Sequence, residues 1–347
     1  MLNTAKQALK HYDLPKSEVS AFGNGLINET FLVSTSAGEE FVLQGLNAVL
    51  EPEINLDIDE LTRHLEKVGV TTKRLIPTSL GDLWVNVGDR NWRLSTYIPG
   101  VCFDRLSSNE QAAAAGDLLG RFHRGVQHLE LQLQTQRMGV HDTQKHLAAL
   151  RTALEKHSGH RHFAQIESLA HEVLSEAERL SELPQLPDRL VHGDPKISNL
   201  VFSPEDGSGV CMIDLDTLTY MPLPLEMGDA FRSWCNPRGE DYEQSEFRLD
   251  LFSAAIGGYA KISHDIVSEA EWRAFVAGAR LIMVELAARF TADALNESYF
   301  GWNSDSFPDR STHNQVRAKG QLELGRSLAK QMETAEQIVE QAFTTRK

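Results

Sequence analysis

Between residues 190 and 217 the chain reads Leu-Val-His-Gly-Asp-Pro-Lys-Ile-Ser-Asn-Leu-Val-Phe, then a polar Ser-Pro-Glu-Asp-Gly-Ser-Gly stretch, then Val-Cys-Met-Ile-Asp-Leu-Asp-Thr. Asp194, Asn199, Asp214 and Asp216 put three carboxylates and an amide into this one segment. These are hard oxygen donors suited to Mg²⁺, which takes a carboxylate or two together with substrate phosphates and retained waters. Asp194 and Asn199 stand in a D-x-x-x-x-N spacing, with Asp214 one strand later. Phosphoryl transfer asks for that combination: a carboxylate to orient the attacking hydroxyl and cations to neutralise the phosphate oxygens. Lys196, two residues after Asp194, could offset γ-phosphate charge. A plain polar hairpin would account for single Asp residues through turn hydrogen bonds. It would not account for His-Gly-Asp, a matched Asn and Ile-Asp-Leu-Asp together.

Positioning these groups requires particular elements. Apolar runs on both sides of the polar stretch predict a hairpin whose open end gathers the four oxygen donors. Upstream, short β-branched and apolar runs at 27–34, 40–46, 83–87 and 92–98 read as strands, with Gly38 and Gly88 at the connections. Ile58, Leu61, Leu65 and Val68 recur at helical spacing within 55–68. Past Tyr97-Ile98-Pro99-Gly100 the texture changes to long amphipathic helices. The first spans 108–128, capped by Ser108 or Asn109, and others are expected at 142–157, 161–182, 244–260, 268–296 and 315–343. Residues 188–236 read as strands and loops. The expectation is an α+β chain in two lobes: a small antiparallel sheet with one helix over 1–100, and a mainly helical lobe over 101–347. Phe22-Gly23-Asn24-Gly25-Leu26-Ile27-Asn28, set between two strands, offers glycines that let backbone amides approach a phosphate. It is an incomplete GxGxxG, because Asn28 holds the third glycine position, and a simple hairpin turn explains it equally well.

His192-Gly193-Asp194 with Asn199 and Ile213-Asp214-Leu215-Asp216 resembles the aminoglycoside phosphotransferase and choline kinase superfamily, which shares the protein-kinase fold. The resemblance implies ATP in a cleft between the lobes, Asp194 as catalytic base beside Lys196, and Asn199 and Asp214 as Mg²⁺ ligands, with Asp216 assisting a second metal. It implies further that Gly23, Asn24, Gly25 and Leu26 cover the phosphates and that Tyr97 and Ile98 form the adenine hinge. His192 supports the catalytic loop, and Asp229 braces its backbone. One departure is Gln44, which stands where strand Phe41-Val42-Leu43 should end in a phosphate-pairing lysine. Gln44 in its context, with Gly-Leu-Ile-Asn-Glu-Thr-Phe-Leu-Val before it and Leu-Asn after it, is similar to the N-acetylhexosamine 1-kinase branch. That likeness implies a sugar pocket lined by the Arg289-Phe290-Thr291-Ala292-Asp293 helix and Tyr299. Taken as residues alone, Glu285, Arg289 and Asp293 are spaced as an i,i+4 salt-bridge ladder, and Arg232 reads as the partner of Asp229 or of another acid.

With 34 Lys plus Arg against 49 Asp plus Glu in 347 residues, the formal charge is −15. That sign, with no basic cluster to override it, disfavours nucleic acid and anionic membrane surfaces as partners. No apolar run has the length of a membrane helix, the N-terminus lacks a signal-type apolar region, and Cys102, Cys211 and Cys235 fit reduced thiols. The expected setting is the cytoplasm and the expected partner a small hydroxyl compound. Other chemistries find less support: His171-Glu172 has Ser175 where HExxH needs its second His, and no GxSxG occurs. Three alternatives stay open: a different acceptor (another sugar, choline, homoserine or an aminoglycoside), a silent kinase-like binding protein, motivated by Gln44, and a metallohydrolase.

Overall fold

Alternation in the first hundred residues builds one antiparallel sheet with two chemically different faces. The computed structural model describes residues 2–23, 28–135 and 140–345. Helix α1 (Leu2–Leu9) leads into β1 (Ser17–Ala21), β2 (Glu29–Thr35), β3 (Glu40–Gly45), α2 (Ile54–Lys67), β4 (Leu75–Ile76), β5 (Val85–Val87) and β6 (Arg90–Thr96). The sheet order is β1-β2-β3-β6-β4, with β5 also paired to β6. Residues directly opposite one another share a face, so register decides function here. Phe31, Leu43 and Leu94 face each other in one row and pack, with Trp92, on Ala5, Ala8 and Tyr12. The adjacent row, Thr30, Gln44 and Arg93, points the other way and is polar. Helix α2 buries Ile54, Ile58, Leu61 and Leu65 in the larger core that continues into the C-terminal helices, each side chain contributing roughly 1.5–3 kcal/mol as an upper bound.

The C-terminal part begins with α3 (Asn109–Val126), whose Ser108 hydroxyl accepts from the Gln111 N–H as an N-cap. Helices α4 (Thr143–Lys156) and α5 (Phe163–Ala177) follow. Next come β7 (Asp188–Val191), β8 (Leu200–Phe202), β9 (Gly209–Met212) and β10 (Thr219–Pro222). β8 pairs with β9 as the expected hairpin, and β7 pairs with β10. Two nested antiparallel pairs place the β7–β8 and β9–β10 connections at the same end, which brings Asp194 and Asp214 together. The chain enters this region through reciprocal hydrogen bonds between Val101 and Phe202, at 2.9 and 2.8 Å.

Three segments differ from the sequence reading. Residues 188–236 include a helix, α6 (Leu223–Trp234), where strands and loops were expected. Pro222 and Pro224 read as breakers, yet proline in a first helical turn sacrifices no intrahelical bond. Leu223, Met227, Ala230, Phe231 and Trp234 recur at helical spacing, and the polar Glu226, Asp229 and Arg232 are buried along with them. The 268–296 pattern divides at Ala274 into α8 (Glu269–Arg273), with a Ser268–Glu271 capping box, and α9 (Phe275–Asn296). The 315–343 pattern starts earlier, at Asp309 as N-cap, and divides into α10 (Arg310–Ala329) and α11 (Met332–Thr344); α7 (Leu249–Ser263) lies between α6 and α8. Helices α6 and α9 cross at backbone contact: a Cβ on Gly278 would lie 2.2 Å from the Pro224 carbonyl oxygen. Among the described residues no helix is long and apolar enough to cross a membrane.

Candidate active site

The loop from β7 to β8 is held by backbone and side-chain bonds that leave one carboxylate facing outward. Buried His192 donates from Nε2 to the Ile213 carbonyl (2.9 Å) and accepts at Nδ1 from the Asp194 N–H (3.3 Å). Those two bonds together define a single neutral tautomer. The N–H groups of His192 and Gly193 donate to the two oxygens of buried Glu226, at 3.1 and 3.0 Å. The bracing role expected of Asp229 therefore falls to Glu226. Asp229 instead accepts from Arg232 Nε at 2.8 Å, which is the ion pair read from the sequence. Gly193 is required at its position: φ is +83° and a Cβ would lie 2.0 Å from the Thr217 carbonyl oxygen. Ser233 Oγ accepts from the Ile197 N–H and Trp234 Nε1 donates to the Pro195 carbonyl. Glu226, Ser233 and Trp234 all lie on α6, the helix found where strands and loops were expected.

Within that frame Asn199 Nδ2 donates to the Asp194 carbonyl (2.8 Å) and to Asp194 Oδ2 (3.2 Å), while Lys196 Nζ lies 2.5 Å from the same Oδ2. Arg232 reaches to 4.0 Å from Asp194 Oδ1. Burial pushes the Asp194 carboxyl up, but the Lys196 ammonium and Arg232 guanidinium outweigh it and hold the group below the usual carboxylate range. Asp214, after β9, adopts left-handed backbone (φ 63°, ψ 56°), a conformation that costs a non-glycine residue about 1 kcal/mol. Its carboxylate forms no hydrogen bond or ion pair among the described residues, and burial together with the Asp216 charge raises its pKa. An unpartnered carboxylate so placed is stabilised by a cation. The side chains of Asp214 and Asn199 offer hard oxygens of the type that suits Mg²⁺ completed by phosphate oxygens and water. No cluster of three His, Cys, Asp or Glu side chains with metal geometry occurs among the described residues.

Asp216 departs from the sequence reading, which placed it with the metal ligands. Arg93 NH1 and NH2 contact its two oxygens at 2.5 and 2.9 Å, and Asn28 Nδ2 adds a bond at 3.0 Å. Burial alone would raise this carboxyl; the Arg93 charge and hydrogen bonds overcome it and bring the pKa down to about 2. Both oxygens are committed to this pair rather than to a cation. Arg93, 1% exposed, also donates to Gln44 Oε1 (3.1 and 2.9 Å) and to Asn55 Oδ1 on α2 (3.3 Å). Gln44 thus serves as an acceptor for the Arg93 guanidinium of the neighbouring strand β6. A second buried basic group, Lys73, lies in the field of Arg93, Asp216 and Asp214; burial first and Arg93 next lower its pKa.

Next to Gly23, the Phe22 ring packs edge-on against Tyr97 at 5.8 Å. Ile98 enters no backbone hydrogen bond among the described residues. Asn24, Gly25 and Leu26 lie outside the described residues. On the far side, the guanidinium of Arg289 stands 6.0 Å from the Tyr299 ring and 5.6 Å from Phe300, without a carboxylate partner among the described residues. The i,i+4 ladder is not formed. Asp293 accepts from the Ser298, Tyr299 and Phe300 N–H groups and from Asn314 Nδ2. Its expected contact with substrate gives way to a turn-holding role, because no acceptor site on it is spare. Tyr299 is 64% exposed.

The sequence profile of the APH phosphotransferase enzyme family matches residues 18–263, which span the polar sheet face, the Asp194 loop and α6. The chain belongs to the phosphotransferase enzyme family. Its fold is similar to that of an amicoumacin kinase in complex with AMP-PNP, Ca²⁺ and Ami (14% identity, TM-score 0.63, covering 93% of this chain and 92% of that one). A microcompartment-associated aminopropanol kinase matches at 15% identity and TM-score 0.64, over 97% and 99% of the two chains. The choline kinase of Cryptosporidium parvum Iowa II matches at 13% identity and TM-score 0.63, over 99% of each.

In this phosphotransferase, sequence reasoning missed Arg93, Lys73 and Asn55, and gave Glu226 no role at the catalytic loop. Arg93 carries a faint signal, a charge set between the two apolar residues of β6, Trp92 and Leu94. Glu226 and Asn55 carry none, because burial of a polar residue is decided by its partner and not by its neighbours in sequence.

Proposed function

We propose that this phosphotransferase transfers the γ-phosphoryl group of ATP to the anomeric hydroxyl of an N-acetylhexosamine. Nucleotide lies in the cleft between residues 1–100 and 101–347, with adenine at Tyr97 and Ile98. AMP-PNP in the amicoumacin kinase of the same fold supports ATP as donor. Asn199 and Asp214 would hold Mg²⁺, which supplies charge neutralisation at the β- and γ-phosphates when bound. Asp194, kept ionised by Lys196 and Arg232, takes the proton of the acceptor hydroxyl as its oxygen bonds to the γ-phosphorus and the bond to the ADP oxygen breaks. Lys196 offsets the charge on the transferred group.

The observation that carries the reading is the pairing of an ionised Asp194 with an unpartnered Asp214 across one loop end. For the acceptor, Arg289 offers a guanidinium fork free of carboxylates, suited to hydroxyl and amide oxygens. A coupled ADP-release screen over N-acetylhexosamines, plain hexoses, choline, homoserine and aminoglycosides tests it. N-acetylhexosamine-dependent ADP release, with loss of the sugar's reducing-end reactivity, is the expected result. ADP release that needs another acceptor removes the sugar assignment, and phosphate release without any acceptor replaces transfer with hydrolysis.

A further inference from the structure

The Asp214 carboxylate, unpartnered among the described residues, takes its place from the backbone that carries it, and that backbone is left-handed. Ahead of it, the Ile213 N–H donates to the Asn199 carbonyl (2.8 Å) and the Ile213 carbonyl accepts from His192 Nε2 (2.9 Å). Behind it the chain closes a single 3-10 turn, Leu215–Thr217, and the Thr217 hydroxyl donates to the His192 carbonyl at 2.9 Å. These bonds tie the turn to the Asp194 loop. The middle of the turn, Asp216, is fixed instead by groups from the first hundred residues. Arg93 of β6 grips both of its oxygens (2.5 and 2.9 Å), and Asn28 Nδ2, just ahead of β2, reaches one of them at 3.0 Å. Asn28 is itself held, its Oδ1 accepting from the Asn47 N–H at 2.9 Å.

Arg93 is held as firmly from its other side. A guanidinium carries five N–H donors and no acceptor. Here Nε meets Gln44 of β3 (3.1 Å), NH1 meets Asn55 of α2 (3.3 Å) and Asp216, and NH2 meets Gln44 (2.9 Å) and Asp216. Each donor therefore has a protein acceptor, and none is left over for a phosphate oxygen. Both members of the ion pair are buried, so water does not compete for these bonds. We propose that Arg93 is a positioning residue for the metal carboxylate: through Asp216 it keeps Asp214 in its left-handed conformation and aims that side chain at the cation bound with the nucleotide, while touching neither cation nor phosphate. A non-glycine residue stays in this backbone region only where its surroundings over-determine it. The Asp194 loop supplies part of that constraint, and the Arg93 strut adds the part that refers Asp214 to the sheet and α2. Hydrogen-bonded neighbours that orient a metal ligand govern affinity for the metal without contacting it.

The inference rests on the reading of Asp214 as a Mg²⁺ ligand, and not on which acceptor is phosphorylated. Calorimetric titration of the whole chain with AMP-PNP, in EDTA and across a Mg²⁺ series, tests it. The readout is the Mg²⁺ concentration at which AMP-PNP affinity has risen halfway to its limit. Wild type is compared with Asp214→Asn, Arg93→Lys and the double variant Arg93→Met/Asp216→Leu, each below its own Tm. The double variant removes both buried charges together, so neither is left unpaired. Expected in it are a Mg²⁺ midpoint raised about tenfold or more and an AMP-PNP affinity in EDTA within about threefold of wild type. A lysine in place of Arg93 keeps a charged contact to Asp216 but lacks the fork that also holds Gln44 and Asn55, so its midpoint should lie between the two. If the double variant does not fold, Arg93→Lys carries the comparison by itself. An unmoved midpoint in the Arg93 variants overturns the proposal. So does an equal loss of nucleotide affinity with and without Mg²⁺, since a general loosening of the sheet does not act through the metal. If Asp214→Asn leaves the midpoint unchanged, the reading of Asp214 as a ligand falls and the proposal falls with it. A raised midpoint in Asp214→Asn beside unmoved Arg93 variants removes the proposal alone.

Discussion

A carboxylate's role in this phosphotransferase follows from what its oxygens already contact. Asp194, Asp214 and Asp216 lie within one segment, yet the first is ionised beside two cations, the second is unpartnered, and the third is locked to Arg93. Asp194→Asn keeps the shape but loses the proton acceptor, so kcat should fall about 10²–10⁴-fold with nucleotide affinity within about twofold, read by ADP release and calorimetric titration. For Asp216 the sign is set by its depressed pKa. Its contribution to stability is complete above the ordinary carboxylate value near 4 and is lost as pH falls through about 2. The shift corresponds to about 2 kcal/mol, so denaturant unfolding of the wild type should weaken over that acid range. Asp216→Asn should lack this acid limb. At neutral pH it should be about 3 kcal/mol less stable, because the Arg93 charge stays buried without its partner.

Helix α6 is the element on which the site depends. One face meets the Asp194 loop through Glu226, Ser233 and Trp234, while Gly228 lets its backbone lie against Gly278 of α9. Glu226→Ala leaves two buried N–H donors unsatisfied, and removal of this buried charged acceptor should cost about 2–4 kcal/mol. Activity should fall with it as Asp194 loses its backing. Gly278→Ala pushes α9 off α6 and should destabilise by about 1–3 kcal/mol through overpacking. Both effects are read from urea unfolding midpoints, alongside ADP-release rates at a temperature where each variant remains folded. Prolines at its start masked this helix, although Leu223, Met227, Ala230, Phe231 and Trp234 stand at helical spacing. By contrast, α3 was legible from a Ser cap and an Ala-rich repeat, since those signals act within one turn of the chain.

Across the whole molecule, Arg93 ties the polar sheet face to the loop end that holds Asp216, so binding of the proposed nucleotide there should be felt in global stability. A bound nucleotide at about a hundred times its Kd adds about 2.7 kcal/mol. AMP-PNP with Mg²⁺ should therefore raise Tm of the wild type, and removal of Mg²⁺ by EDTA should erase most of that gain. Asp214→Asn should show the same small response with and without Mg²⁺; a full Mg²⁺-dependent shift in that variant would remove Asp214 as a ligand. The D-x-x-x-x-N loop, the hairpin beside it, the helix-rich second half and the carboxylate proposed as base were legible in the sequence alone, because each is carried by residues close together in the chain. Tertiary structure alone decided the rest. Arg93 meets Asp216 across 123 positions, His141 meets Glu285 across 144, and Glu226 takes the place expected of Asp229 by reaching back 34 positions to His192. Burial removes water as an alternative partner, so each polar group keeps whichever partner the packing delivers, and no spacing rule records that choice.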